Sequence, residues 1–400
     1  MVSELRRELG LPGAVITGLG SILGTGAFVA IAIAHDFVGP LVVVAAPVAG
    51  LVATFNGLSS AALASAHPVA GGTYEYGTKY LGPWPGFLAG WLFLLAKSAS
   101  AATAALALGR LFGLSWAPLA IVVAMTMLVA TGLRRTTAVN LILITITITG
   151  LVGFVVLAAQ VTGPTTNTGP SGDWPSLLEA IAFLFVAYTG YGRIATMGEE
   201  VRDPAKTIPR AVIVTLAVTA ALYTSIAWGV SRFWMRSGRT GETLADIVDG
   251  LTGSQIVAVA AGAAMAGVLL NLILGLSRVW LAMGRRGDMP SALARVTDGS
   301  PRVAVIVTGV AIGGLTLLGD LRVAWSFSAF SVLLYYAVTN AAALRLSPSE
   351  RRFPRWTAWA GLTSCLFLAM WLDPAVVGVS LVVIAAGLVW RAIWTQRVRT

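Results

Sequence analysis

Apolar residues run through this chain in long unbroken stretches, with polar residues collected between them. A stretch of about 18 residues or more reads as a membrane-crossing helix, because about 20 residues rising 1.5 Å each span the hydrocarbon layer. The pattern predicts about twelve such helices, at 12–34, 40–65, 82–108, 116–132, 137–161, 176–197, 208–230, 254–284, 302–318, 322–345, 356–372 and 374–394. Asp373-Pro374 separates the last two at a tight outer turn. The expected fold class is an all-α polytopic membrane protein.

Composition agrees. Of 400 residues 57% are hydrophobic and only 11% charged, too few charges to cover a soluble protein of this length. The charges also orient the chain. With a cytoplasmic N-terminus, the inner segments hold Arg6, Arg7, Lys79, Arg134, Arg135, Arg202, Lys206, Arg210, Arg285, Arg286, Arg345, Arg351, Arg352 and Arg355, among others. The outer segments hold Arg110, Arg232, Arg236, Arg239 and Arg322. This positive-inside bias alternates correctly through all the spans and puts both termini in the cytoplasm. The net charge of +10 is thus a topology signal, and no nucleic-acid partner is expected. Arg6 and Arg7 before an apolar run resemble a secretion signal, but the run is long and broken by glycines, so it is read as the first helix.

Those glycines carry chemistry. Gly18, Gly20, Gly24 and Gly26 fall within nine residues at membrane depth, and each weakens a helix by about 1 kcal/mol relative to alanine. An unwound segment in lipid must line a polar cavity, where freed amides and a half-helix N-terminus can hold an anion such as a carboxylate. Gly20 and Gly24 equally fit a close helix-packing seam, so this segment alone leaves both readings open. Span six is interrupted in the same way, at Thr189-Gly190-Tyr191-Gly192 with Gly198 following. Two broken helices five spans apart point to an inverted repeat with a midplane site. One repeat would occupy 1–161 and the other 176–345, with two further helices and a cytoplasmic tail in 356–400.

Several segments resemble the amino acid–polyamine–organocation superfamily. Gly20-Ser21-Ile22-Leu23-Gly24-Thr25-Gly26-Ala27-Phe28 is similar to its first-helix signature. His67-Pro68-Val69-Ala70-Gly71-Gly72-Thr73-Tyr74-Glu75-Tyr76, with Leu81-Gly82-Pro83 and Gly86 to Trp91, resembles the join of its second and third helices. Glu199-Glu200-Val201-Arg202-Asp203-Pro204 with Ile208 to Ala211, and Ser277 to Met283 with Arg286 to Pro290, resemble the inner ends of its sixth and eighth. The resemblance implies a leucine-transporter type fold with a 5+5 inverted repeat, in a plasma or bacterial inner membrane. It also implies alternating access, an amino acid substrate and no cofactor. Amides around Ser21, Gly24, Thr25 and Gly26 would hold the substrate carboxylate. Carbonyls near Ile22, Val186, Ala187 and Thr189 would hold its ammonium, and Tyr188 or Tyr191 would form an aromatic lid.

Two cations depart from that pattern. Arg193 follows the second break, one to two turns from Glu199 and Glu200; an inner-gate ion pair or direct substrate contact would each explain it. Lys97 lies near the middle of span three, too deep to snorkel and without an acidic residue at its depth. Its ammonium could satisfy the carbonyls that the broken helices expose. If it loads and releases a proton, transport is proton-coupled; if it stays charged, the protein is an exchanger or uniporter. The stretch Ala261 to Leu276, where transporters of this fold commonly place sodium-binding hydroxyls, has no serine or threonine.

The remaining polar residues have plainer readings. Glu179 fits a capping box with Ser176, Arg278 caps the inner end of span eight as a structural or gate charge, and Glu242, Asp246 and Asp249 form a solvated outer face. Thr145, Thr147 and Thr149 read as backbone-bonded hydroxyls. With no carboxylate near mid-membrane to pair a second positive charge, neutral amino acids are expected. The absence of mid-depth Asp, Glu or His disfavours an embedded enzyme, no metal site is indicated, and a non-transporting membrane sensor stays open as the third class.

Overall fold

A computed structural model describes residues 10–68, 71–131, 137–167, 172–195, 201–297 and 300–399. Helices occupy each of the twelve expected stretches. The first stretch comprises α1 (Leu11–Ile22), a π-helical turn at Gly26–Ala30 and α2 (Ile31–Val38). Then follow α3 (Val42–Ala66), α4 (Thr73–Leu81), α5 (Pro83–Arg110), α6 (Ala117–Ala130) and α7 (Thr137–Gln160). The sixth stretch comprises α8 (Trp174–Tyr188), a 3-10 turn at Thr189–Tyr191 and α9 (Gly192–Ala195). The chain continues through α10 (Pro204–Ser237), the short α11 (Leu244–Val248), α12 (Ser254–Arg285), α13 (Arg302–Thr316), α14 (Leu321–Ala343), α15 (Arg355–Ala369) and α16 (Pro374–Arg399).

Among the described residues, eight helical stretches are long and apolar enough to cross a membrane, the largest joining Gly26 to Ala66. The outward side chains match that setting: Leu51, Met127, Val152, Val310 and Val382 are all exposed. Polar groups such as Asn56, Thr103, Thr219, Ser328 and Asn340 are buried instead, as expected when lipid offers polar groups no partner. α3 packs mainly on α10, and α5 on α12 and α14; α3 and α14 also pack on α8, and α10 on α1, against the two broken helices.

Two local elements were not read from the pattern. α4 precedes α5 as a separate helix, turned through Gly82 at φ 106, a conformation that suits glycine. α11 is held by a capping box in which Thr243 accepts from the Asp246 amide and Asp246 accepts from that of Thr243. Asp246 therefore caps a helix and Glu242 pairs with Arg110, which corrects the solvated reading for these two, while Asp249 is exposed. The expected capping role of Glu179 is also corrected. Asp173 caps α8, accepting from the Ser176 amide at 3.0 Å and hydroxyl at 2.6 Å, and these bonds hold its carboxyl below the ordinary range. Glu179 is left to pair with Arg322 of α14 at 2.9 Å.

Candidate functional site

α1 ends where Leu23 turns to an extended conformation, ψ 97°. The next helical segment starts at Thr25, and a helix's first amides have no intrahelical acceptors. The amides of Gly24, Thr25 and Gly26 stand at that start, and the Thr25 hydroxyl is buried with no hydrogen-bond partner. Ser21 turns away: its hydroxyl donates to Thr17 O at 2.9 Å. Its contribution to the break is thus its backbone.

The second break lies directly against the first. A Cβ on Gly26 would stand 2.5 Å from the Ala187 Cβ, and one on Gly190 would stand 2.2 Å from Ser21 O. A Cβ on Gly24 would meet Val268 of α12 at 2.2 Å. The two readings left open by the sequence are therefore both realised: the glycines mark a broken helix and also permit close packing on its neighbours.

The structure brings together Ile22, Val186, Ala187 and Thr189, and each of their carbonyls meets a hydroxyl. Tyr223 of α10 approaches Ile22 O at 3.0 Å and Ala187 O at 3.2 Å. Thr189 Oγ1 donates to Val186 O at 2.7 Å, and Tyr336 of α14 donates to Thr189 O at 3.2 Å. Lys97 reaches the same place from α5, donating to Thr189 Oγ1 at 2.9 Å. It meets a hydroxyl there, where the sequence suggested carbonyls. Tyr188 donates to Ala46 O of α3 at 2.7 Å, and its ring crosses that of Tyr223 with centroids 4.9 Å apart. Tyr191 packs on Tyr336 at 5.4 Å. All these residues but Lys97 are buried and Lys97 is half-buried, so the site is closed in this conformation.

Tyr223 and Tyr336 were missed by sequence reasoning. An aromatic residue in an apolar helix reads as packing, and only the fold shows which of them aim hydroxyls at a break. Only some of the expected gate residues fall among the described residues. Arg193 is exposed on α9, while Glu199 and Glu200 lie outside the described residues. Arg278 is exposed and lies about two turns before the end of α12, so it does not cap that helix. Thr145 and Thr147 bond to the carbonyls of Leu141 and Leu143, at 2.9 and 2.7 Å, as backbone-bonded hydroxyls.

Charged contacts at the expected inner side centre on α4. Glu75 pairs with Arg286, and Tyr74 donates to Asp288 at 2.7 Å. Asp288 also meets Arg391 of α16 at 3.2 Å. Tyr80 donates to Glu350 at 3.2 Å, whose carboxyl is held below its ordinary range chiefly by the Ser347 hydroxyl.

Comparison with known proteins matches the chain to a family. The model for amino acid permeases matches residues 13–396. An uncharacterised transporter of Mycobacterium tuberculosis is 38% identical over an alignment of 413 positions, covering 99% of this chain and 94% of the relative. A branched-chain amino acid permease of Bacillus subtilis is 28% identical over 253 positions, covering 56% of this chain and 54% of the relative. A chloroplast cationic amino acid transporter of Arabidopsis thaliana is 28% identical over 262 positions, covering 57% of this chain and 45% of the relative. With the match running through both broken helices and on into α16, the chain belongs to the amino acid permease family, within the amino acid–polyamine–organocation superfamily.

Proposed function

We propose that this chain is a secondary transporter that carries neutral amino acids across a cell membrane by alternating access. The observation that carries the reading is the convergence of carbonyls from two broken helices, Ile22 and Ala187, on one point beside the start of a helix at Gly24 to Gly26. Carbonyl acceptors suit an ammonium, and the first amides of a helix with a buried unpaired Thr25 hydroxyl suit a carboxylate. Together they suit a zwitterion. Ser21, Ile22, Gly24, Thr25, Gly26, Val186, Ala187, Tyr188, Thr189 and Tyr191 form the substrate site in this reading, and Arg193, Arg278, Glu199 and Glu200 belong to the inner gate.

The helices form twelve crossings in this reading, with 1–161 and 176–345 as inverted repeats and both termini cytoplasmic. Neutral substrates are favoured because Glu179, the carboxylate in the sixth stretch, sits at its outer start and already pairs with Arg322. A lysine or arginine side chain at the breaks would be left without a counter-charge, at a cost of several kcal/mol. Relatives named for branched-chain and for cationic amino acids both exist, so this is the feature that chooses between them.

Coupling is assigned to Lys97, whose bond to Thr189 links α5 to the second break. A proton loaded and released there would drive symport; a permanently charged Lys97 would leave an exchanger or uniporter. Uptake of a labelled amino acid panel into proteoliposomes, with imposed proton or sodium gradients, tests the reading. Neutral amino acids should enter, faster with an inward proton gradient and indifferent to sodium. Preference for arginine or putrescine would overturn the substrate class, and a demand for sodium would overturn the coupling.

A further inference from the structure

The point where the Ile22 and Ala187 carbonyls converge is occupied by the oxygen of Tyr223. That tyrosine is wholly buried, and a Cβ on Gly26, besides meeting Ala187, would come within 3.2 Å of its hydroxyl. A phenol has one hydrogen to share between two acceptors, whereas an ammonium has three. The hydroxyl thus holds both carbonyls while leaving much of their accepting capacity unused.

We propose that Tyr223 is the chain's own stand-in for the substrate ammonium, holding the Ile22 and Ala187 carbonyls when no amine is present and yielding them to one that arrives. This deepens the amino acid reading above and rests on it. The consequence concerns selectivity. A site that hydrogen-bonds a substrate group rejects an analogue lacking that group because its own buried polar atoms are left unpaired. Here they are not left unpaired, because Tyr223 satisfies them. The site therefore tolerates carboxylates that lack the amine better than a site without such a hydroxyl would, and it binds amino acids less tightly than its carbonyls allow.

Tyr223→Phe keeps the ring against Tyr188 and removes only the hydroxyl. Without it, the empty site and the site holding a des-amino acid both carry unpaired carbonyls, while the site holding an amino acid does not. The measurement is competition for uptake in proteoliposomes by alanine, leucine and phenylalanine, each set against propanoate, 4-methylpentanoate or 3-phenylpropanoate. Relative to wild type, Tyr223→Phe should raise the affinity ratio of amino acid over its des-amino partner by roughly tenfold, mostly through tighter amino acid binding. An unchanged ratio, or equal weakening of both ligands, would show the hydroxyl to be structural and overturn the proposal. A second measurement keeps the hydroxyl and so does not depend on the variant folding. With 3-fluorotyrosine placed at position 223, the fluorine resonance should move when the transported amino acid is added and hold still with its des-amino partner. A resonance indifferent to the amino acid would overturn the proposal equally. Wild type that transports no amino acid at all would instead overturn the underlying reading, so the two failures are distinguishable.

Discussion

Gly190 and Gly26 shape the site by having no side chain. A methyl group on Gly190 would lie 2.2 Å from the Ser21 carbonyl oxygen, and backbone cannot swing aside as a flexible side chain can. Gly190→Ala should therefore push the broken helices apart and lower stability by roughly 1–3 kcal/mol, read as a lower thermal unfolding midpoint in detergent. Gly275→Ala in α12 is the control, since its added Cβ meets nothing within 4 Å; it should be neutral or slightly stabilising. Equal loss in both would show that close approach at Gly190 is not the reason. Lys97→Met tests coupling at the same scale. It removes the donor to Thr189 Oγ1 while keeping a long apolar side chain. Uptake should lose its pH dependence while counterflow survives; an unchanged pH profile would remove Lys97 from the coupling mechanism. These residues differ in how legible they were. Lys97 stood out because a cation in an apolar stretch is costly and needs a reason, and the glycines stood out because they weaken helices. Tyr223 and Tyr336 gave no such signal, because their meaning lies in which carbonyls their hydroxyls reach.

Among the elements, helix positions followed from apolar length, and both interruptions followed from glycine. What apolar length could not supply was α4, which mixes apolar and charged residues and is bound by contacts distant in sequence. Tyr74 and Glu75 reach Asp288 and Arg286 after α12, and Asp288 in turn meets Arg391 of α16. Arg391 is only 5% exposed, lying over the rings of Trp84 and Phe87. Asp288→Asn removes the negative charge from this junction and should cost about 1–3 kcal/mol. Thermal unfolding of the purified variant measures it, and Arg110→Gln serves for comparison. Arg110 and Glu242 are both close to half exposed, a pair worth at most about 1 kcal/mol. If Asp288→Asn unfolds no earlier than Arg110→Gln, the junction does not anchor α4. Glu179 teaches the same lesson: its spacing from Ser176 suited a cap, yet the Asp173 carboxylate does that work and leaves Glu179 for Arg322. Local spacing cannot tell which of two nearby carboxylates a distant arginine will claim.

For the whole molecule, the arrangement of charge predicts which loops face the cytoplasm. The single native cysteine, Cys365, is fully buried and gives a quiet background for labelling. With a cysteine introduced at Ser171, intact cells should react with an impermeant maleimide, and with one at Ser349 they should react only after permeabilisation. The reverse pattern would invert the topology. In the proposed function, one buried site built from two broken helices is presented alternately to the two sides of the membrane with an amino acid in it. Counterflow tests this most directly, because it needs alternating access but no coupling ion. Proteoliposomes loaded with unlabelled leucine and diluted into labelled leucine, with no pH or sodium gradient, should accumulate label transiently above its equilibrium level and then lose it. Label that never exceeds the level in protein-free liposomes, for leucine and for every other neutral amino acid tried, would contradict the account.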